Sequence, residues 1–214
     1  MDYLASWGYA ASISTLAVAF IGPVFGALAD TKAFKKPVFA VCVLSGVFCC
    51  GLLAIPQSWL VFLILFILAK IGYSSSLVFY DSMLGDITTR ERMDGISSHG
   101  FAWGYIGSCI PFVISLIFVL FYESIGIRLR SAMASAIVIH AVWWLAAALP
   151  LLRSYKQIYY SEGERGAVKQ SLERLKNTIG EIRKNKKILL FLLAYFFYID
   201  GVYTIIEMAT AYGS

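Results

Sequence analysis

Six apolar stretches alternate with shorter polar ones along the chain, at residues 7–29, 37–55, 59–84, 98–122, 131–152 and from 188 to about 212. A bilayer core takes roughly 20 apolar residues of helix, so each stretch predicts one membrane-spanning α-helix. No 3.6-residue stripe is expected inside them, because a helix wetted by lipid is apolar all round. Two polar segments stand out between the stretches. In 79–107, FYDSMLGDITTRERMDGISSHGFAWGYIG, the groups Arg90-Glu91-Arg92 and Asp94-Gly95 cannot sit in hydrocarbon. This predicts a charged, turn-rich loop over 85–97, with Tyr80, Asp81 and Ser82 before it. Gly100, Gly104 and Gly107 follow, small residues that would let helices approach closely, and Pro111 would kink that helix. In 153–187, Val168, Leu172, Leu175, Ile179 and Ile182 recur every three or four residues, with Lys169, Arg174, Lys176 and Arg183 off the stripe. That pattern predicts an amphipathic helix on the membrane face or under the bundle; a soluble connecting helix with a solvated basic face fits it equally.

Composition narrows the class. The 214 residues are 59% hydrophobic and only 14% charged, with a mean hydropathy of +0.74. Soluble domains are nearer half apolar and a quarter charged, and this chain has too little polar surface to cover itself. The expected fold is all-α, a polytopic membrane helical bundle. The N-terminus MDYLASW has no basic residue before a run too long for a cleavable signal peptide. Cys42, Cys49, Cys50 and Cys109 all fall inside spans without metal-ligand spacing, so they read as small apolar packing residues rather than disulfide partners. No nucleophile–base spacing, zinc motif or phosphate-binding loop is present, so neither enzyme chemistry nor a cofactor is expected.

Charge sets the orientation. Lys32, Lys35 and Lys36 lie in one connection, Arg90 and Arg92 in another, and ten basic residues in 153–187, whereas the alternate connections hold only Arg128 and Arg130. By the positive-inside rule the basic connections are cytoplasmic, which puts both ends of the six-span unit outside. The basic balance follows from this topology and calls for no nucleic acid.

Three local sequences carry a family resemblance. Gly26-Ala27-Leu28-Ala29-Asp30 with Lys35-Lys36 resembles the major facilitator superfamily's loop motif between helices two and three, with Ala33-Phe34 where the motif has its later glycine. The 79–107 segment resembles the signature around the fourth and fifth helices of the autophagy-related vacuolar effluxer branch of that superfamily. Residues 195–213, YFFYIDGVYTIIEMATAYG, resemble that branch's seventh helix, above all at Asp200-Gly201-Val202 and Tyr212-Gly213. One shift aligns all three landmarks: the first span here is the family's second helix. The resemblance covers essentially the whole chain. It implies a partial transporter fold, with five helices of the N-terminal half in 1–152, a cytoplasmic linker in 153–187, and the first helix of the C-terminal half in 188–214. Helix one and helices eight to twelve would be missing.

The function so implied is secondary active transport of a small solute by alternating access, with amino-acid efflux the first class to test. Compact loops favour a bacterial plasma membrane, or the vacuolar membrane in a eukaryote. A non-transporting membrane scaffold and a dimerising half-transporter are the alternatives.

Ionisable residues at membrane depth are the functional candidates, because an unpaired charge there costs at least ~2.5–3.5 kcal/mol. Lys70 lies eleven residues into the third span, about 16 Å deep at 1.5 Å per residue. Tyr73, Ser74 and Asp81 continue its face. Asp200 sits near mid-depth of the last span, with Tyr203, Thr204 and Glu207 on its face. Both spans map to cavity-lining helices of the family. Lys70 and Asp200 are therefore expected to hold a solute or coupling ion between them, a site suited to zwitterions; the alternatives are that they simply neutralise each other, or that Lys70 snorkels and Asp200 caps a kink at Gly201. Glu207 is the candidate for a coupling proton. Gly26, Asp30, Lys35 and Lys36 are expected to act in gating, as is Asp81 tied to Arg90 or Arg92. His140 reads as a packing histidine.

Overall fold

The structure, a computed structural model, describes residues 3–29, 31–160, 173, 176, 177 and 180–212. Six long helices dominate: α1 (Tyr3–Ala29), α2 (Lys35–Leu52), α3 (Trp59–Ile87), α4 (Met93–Leu120), α5 (Leu129–Ser154) and α6 (Lys186–Tyr212). Each is long and apolar enough to cross a membrane, and no strand occurs among the described residues. Four residues of the proposed amphipathic stripe, Val168, Leu172, Leu175 and Ile179, lie outside the described residues.

The expected loop over 85–97 is mostly helix. α3 continues to Ile87, Thr88 and Thr89 are extended, a 3-10 turn spans Arg90–Arg92, and α4 begins at Met93. The reason is length. At 29 and 28 residues, both helices exceed the roughly 20 residues that hydrocarbon requires. Each is thus longer than hydrocarbon requires, and charged side chains on a helix end outside hydrocarbon cost that helix little. Asp94 in the first turn of α4 also complements the helix dipole.

Packing centres on a crossing of α2 and α3. A Cβ on Gly72 would lie 2.9 Å from both the Cys42 carbonyl oxygen and Gly46 Cα, so the two backbones touch. α1 lies along the other side of α3, while α5 packs on α2 and α4. Buried Phe39, Cys42 and Val43 of α2, Phe79 and Met83 of α3, Ala29, Ala148 and Tyr155 form the core. Phe25 of α1 joins it with its ring centroid 5.5 Å from that of Phe79. This core lies toward the end of the bundle where the connection between α1 and α2 meets the end of α3. Three serines inside the helices satisfy themselves locally: Ser14, Ser76 and Ser82 each donate at 2.7 Å to a carbonyl three or four residues back.

The glycines of α4 do not act as expected. Among the described residues, a Cβ on Gly104 or Gly107 would meet nothing within 4 Å, and one on Gly100 only the Tyr80 hydroxyl at 3.7 Å. α4 packs on α5 through a different face, and these glycines border open space. The helix continues through Pro111 without interruption.

The turn between α1 and α2 holds Ala33 at φ +64°, a left-handed conformation unusual for a residue with a side chain. Ala33 falls at the place where the resembled loop motif carries glycine. Relieving a left-handed alanine gains ~1–2 kcal/mol, partly offset by the freedom glycine adds to the unfolded chain. Ala33→Gly is therefore expected to raise thermal stability in detergent by about 0.5–1 kcal/mol. A melting temperature unchanged or lowered in a fluorescence-detected melt would contradict the strain reading.

Candidate functional site

Between α1, α3 and α6 lies an open cavity of about 1230 Å³. Helical spacing explains which residues reach it, since positions three and four apart share a face. α3 contributes Lys70, Tyr73, Ser74 and Leu77; α6 contributes Phe196, Ile199, Asp200, Tyr203 and Thr204; α1 contributes Gly8, Tyr9, Ser12 and Thr15, among others. Six of the seven binding candidates read from the sequence thus line one space. The seventh, Glu207, lies on α6 with its side chain outside the described residues. The wall is mainly apolar, with an ammonium on one side, a carboxylate on another and hydroxyls between. Few convergent polar groups in an apolar pocket are what orient a small ligand. An opposed cation and anion suit a solute that carries both charges.

The α1 contribution was missed by sequence reasoning. Gly8, Ser12 and Thr15 recur at i, i+4 and i+7, a small and hydroxylated stripe on an otherwise lipid-like helix. That spacing was the available signal.

A second polar centre lies where the ends of α1, α2 and α3 come together. Lys35, the first residue of α2, places Nζ 2.8 Å from Asp86 Oδ2 near the end of α3; the two side chains are 7% and 0% exposed. Lys35 also donates to the Ser82 carbonyl at 3.2 Å. The chain leaving α5 then folds back over this pair. The Tyr155 hydroxyl donates a short hydrogen bond to Asp86 Oδ2, and the backbone N–H groups of Ile158 and Tyr159 donate to Oδ1 at 3.1 and 2.7 Å. Gln157 Nε2 donates to the carbonyls of Ala29 and Thr31 at 3.2 and 3.1 Å. Lys32 Nζ lies 5.0 Å from the centre of the Tyr160 ring. Residues 155–160 therefore strap the ends of α1, α2 and α3 together. Burial, reinforced by the neighbouring Asp86 carboxylate, pushes the Tyr155 hydroxyl well above its ordinary pKa, so it remains a donor.

The gating candidates distribute unevenly around this strap. Lys35 is central to it, but its partner is Asp86, a residue the sequence reading had left in a loop. Lys36 and Gly26 are half-buried, and Asp30 lies outside the described residues. Asp81, Arg90 and Arg92 are exposed, and no ion pair among the described residues joins Asp81 to either arginine. Asp81 lies more than a helical turn before Asp86, and the 3-10 turn holds the arginines in solvent. His140 Nδ1 lies 2.8 Å from the Ala136 carbonyl and 3.3 Å from Ser115 Oγ, so this histidine bridges α5 to α4.

Comparison with known proteins gives two results. A family model described as vacuole effluxer Atg22 like matches residues 2–93 and 85–214. An uncharacterized MFS-type transporter, YxiO of Bacillus subtilis (strain 168), is 43% identical over 211 residues, covering 97% of this chain and 49% of that protein. The chain thus spans about half the length of the curated relative it matches. No solved structure matches.

The strap predicts unequal costs for its members. Removing one partner of a buried ion pair typically costs ~3–5 kcal/mol, because the remaining charge stays buried. Asp86→Ala strands Lys35, the Tyr155 hydroxyl and two backbone N–H groups together, whereas Lys35→Met leaves Asp86 with three donors. In thermal melts of the purified protein, Asp86→Ala should lower the midpoint clearly more than Lys35→Met. Equal losses would contradict the central position of Asp86.

Proposed function

Because the chain belongs to the vacuole effluxer Atg22-like family of MFS-type transporters, we propose that the full-length protein is a secondary active transporter whose solute binds in the cavity between α1, α3 and α6. The observation that carries this reading is the meeting of Lys70 and Asp200 in one cavity wall system, each near the middle of its span, surrounded by Tyr73, Ser74, Tyr203 and Thr204. Charge at that depth is costly and is retained where it performs a task. A zwitterionic amino acid fits both charges at once: its carboxylate toward Lys70, its ammonium toward Asp200. Phe196, Ile199 and the tyrosine rings would then accept an apolar side chain.

The cytoplasmic strap supports alternating access. With the ends of α2 and α3 pinned through Asp86 and that of α1 through Gln157, these helices would rock as a single body around the central site, as this superfamily's repeats do. Glu207, on the α6 face that also carries Asp200 and Tyr203, is the proposed carrier of a coupling proton. Export of amino acids is the proposed direction, and 153–187 is the proposed cytoplasmic connection between halves.

Reconstitution of the full-length protein into proteoliposomes tests the reading. A panel of labelled neutral amino acids should identify at least one that is carried. Lys70→Ala and Asp200→Asn should each reduce its flux by at least tenfold, while leaving the protein monodisperse. The exchange Lys70→Asp with Asp200→Lys should not restore flux, because each charge has its own ligand group. Full flux in the exchanged protein would make the two residues a neutralising pair and remove the site.

A further inference from the structure

The helix α5 lines none of the cavity, yet one of its side chains reaches the cavity wall. Trp144 lies half-buried against the core, at the point where α2 and α3 cross. A Cβ on Gly46 would run into the six-membered ring of its indole, so the missing side chain at Gly46 is what makes room for it. Gly72 brings the α3 backbone against the same point on α2. Tyr73 is the next residue of α3, and its ring meets Trp144 edge-on, with centroids 5.6 Å apart and planes at 78°. Tyr73 also lines the cavity, and the residue is 49% exposed. Two glycines in backbone contact therefore open a slot through which an α5 indole props a cavity tyrosine.

We propose that Trp144 is a positioning residue: seated over Gly46, it holds the Tyr73 ring against the cavity and thereby sets the affinity for solute. This rests on the cavity being the solute site. Edge-to-face aromatic pairs are directional, because the positive ring edge of one partner is drawn to the negative face of the other. An unsupported Tyr73 would sample other rotamers, and each solute would have to reorder it on binding. The loss appears in affinity rather than turnover, since Trp144 touches neither the solute nor the strap's Asp86. Tyr155 directly follows the last residue of the same helix, so α5 and the residue that caps it hold α3 twice, at the cavity wall and at Asp86.

The test is a double-mutant cycle in the full-length protein in proteoliposomes, with labelled L-leucine as the probe for its zwitterionic head and apolar side chain. Trp144→Leu should raise KM by about two- to tenfold, the scale of one aromatic pair, with maximal flux nearly unchanged. Trp144→Phe should restore most of the affinity. In a Tyr73→Ala background, Trp144→Leu should add nothing further. Additive effects of the two changes, or a fall in maximal flux with KM unchanged, would overturn the positioning role while leaving the cavity reading intact. If leucine is not carried, the cycle is run with the neutral amino acid that the panel identifies; if Tyr73→Ala leaves transport of that probe unaltered, the cavity reading fails and the inference with it. Should Trp144→Leu not yield folded protein, Gly46→Ala displaces the indole in place and must raise KM in the same way; an unchanged KM would overturn the proposal.

Discussion

A buried carboxylate must have every lone pair answered, and Asp86 shows how much structure that requirement can organise. Its two oxygens take an ammonium from α2, a phenol from the end of α5 and two backbone N–H groups from the segment beyond. None of these donors is near Asp86 in sequence. Each bond fixes one element relative to α3, so a single side chain determines how four chain segments end together. The apolar core of Phe39, Val43, Phe79 and Met83 lies directly behind it. Apolar packing alone would allow the helix ends to slide past one another. The carboxylate does not, because a displaced end would leave a buried charge short of partners.

The cavity depends on the same geometry. α3 is held near its C-terminal end by Asp86 and along its length by the glycine crossing with α2. It is thereby fixed as a wall, with Lys70, Tyr73, Ser74 and Leu77 facing α1 and α6. α6, in contrast, makes few contacts with the other described helices.

The sequence shows some of this and conceals the rest, for definite reasons. Helix number and placement are legible because hydrocarbon demands some 20 apolar residues for each crossing, a signal that needs no tertiary information. Lys70 and Asp200 are legible because charge in such a run is conspicuous, and their neighbours follow from helical spacing. The helix ends are less so: α3 and α4 are longer than hydrocarbon requires, and outside hydrocarbon composition no longer separates helix from loop. Asp86 therefore reads as one more charge in a polar turn. Tyr155 and Gln157 follow the end of a helix, in a segment with no periodicity to show which way they face. The glycines illustrate both outcomes. Gly46 and Gly72, unremarked in the sequence, make the closest backbone approach, whereas the conspicuous series at Gly100, Gly104 and Gly107 meets almost nothing among the described residues.

The central claim is that solute occupies the cavity between α1, α3 and α6. Its most direct test is protection of a cysteine placed in the wall. Ser74→Cys would be introduced into the full-length protein with Cys42, Cys49, Cys50 and Cys109 replaced, and its reaction with a charged, membrane-impermeant thiol reagent followed with and without saturating amino acid. The account predicts that Cys at this position reacts, since water fills the cavity, and that a transported amino acid slows the reaction severalfold. A thiol that never reacts, or one whose rate no transported solute changes, would contradict the account.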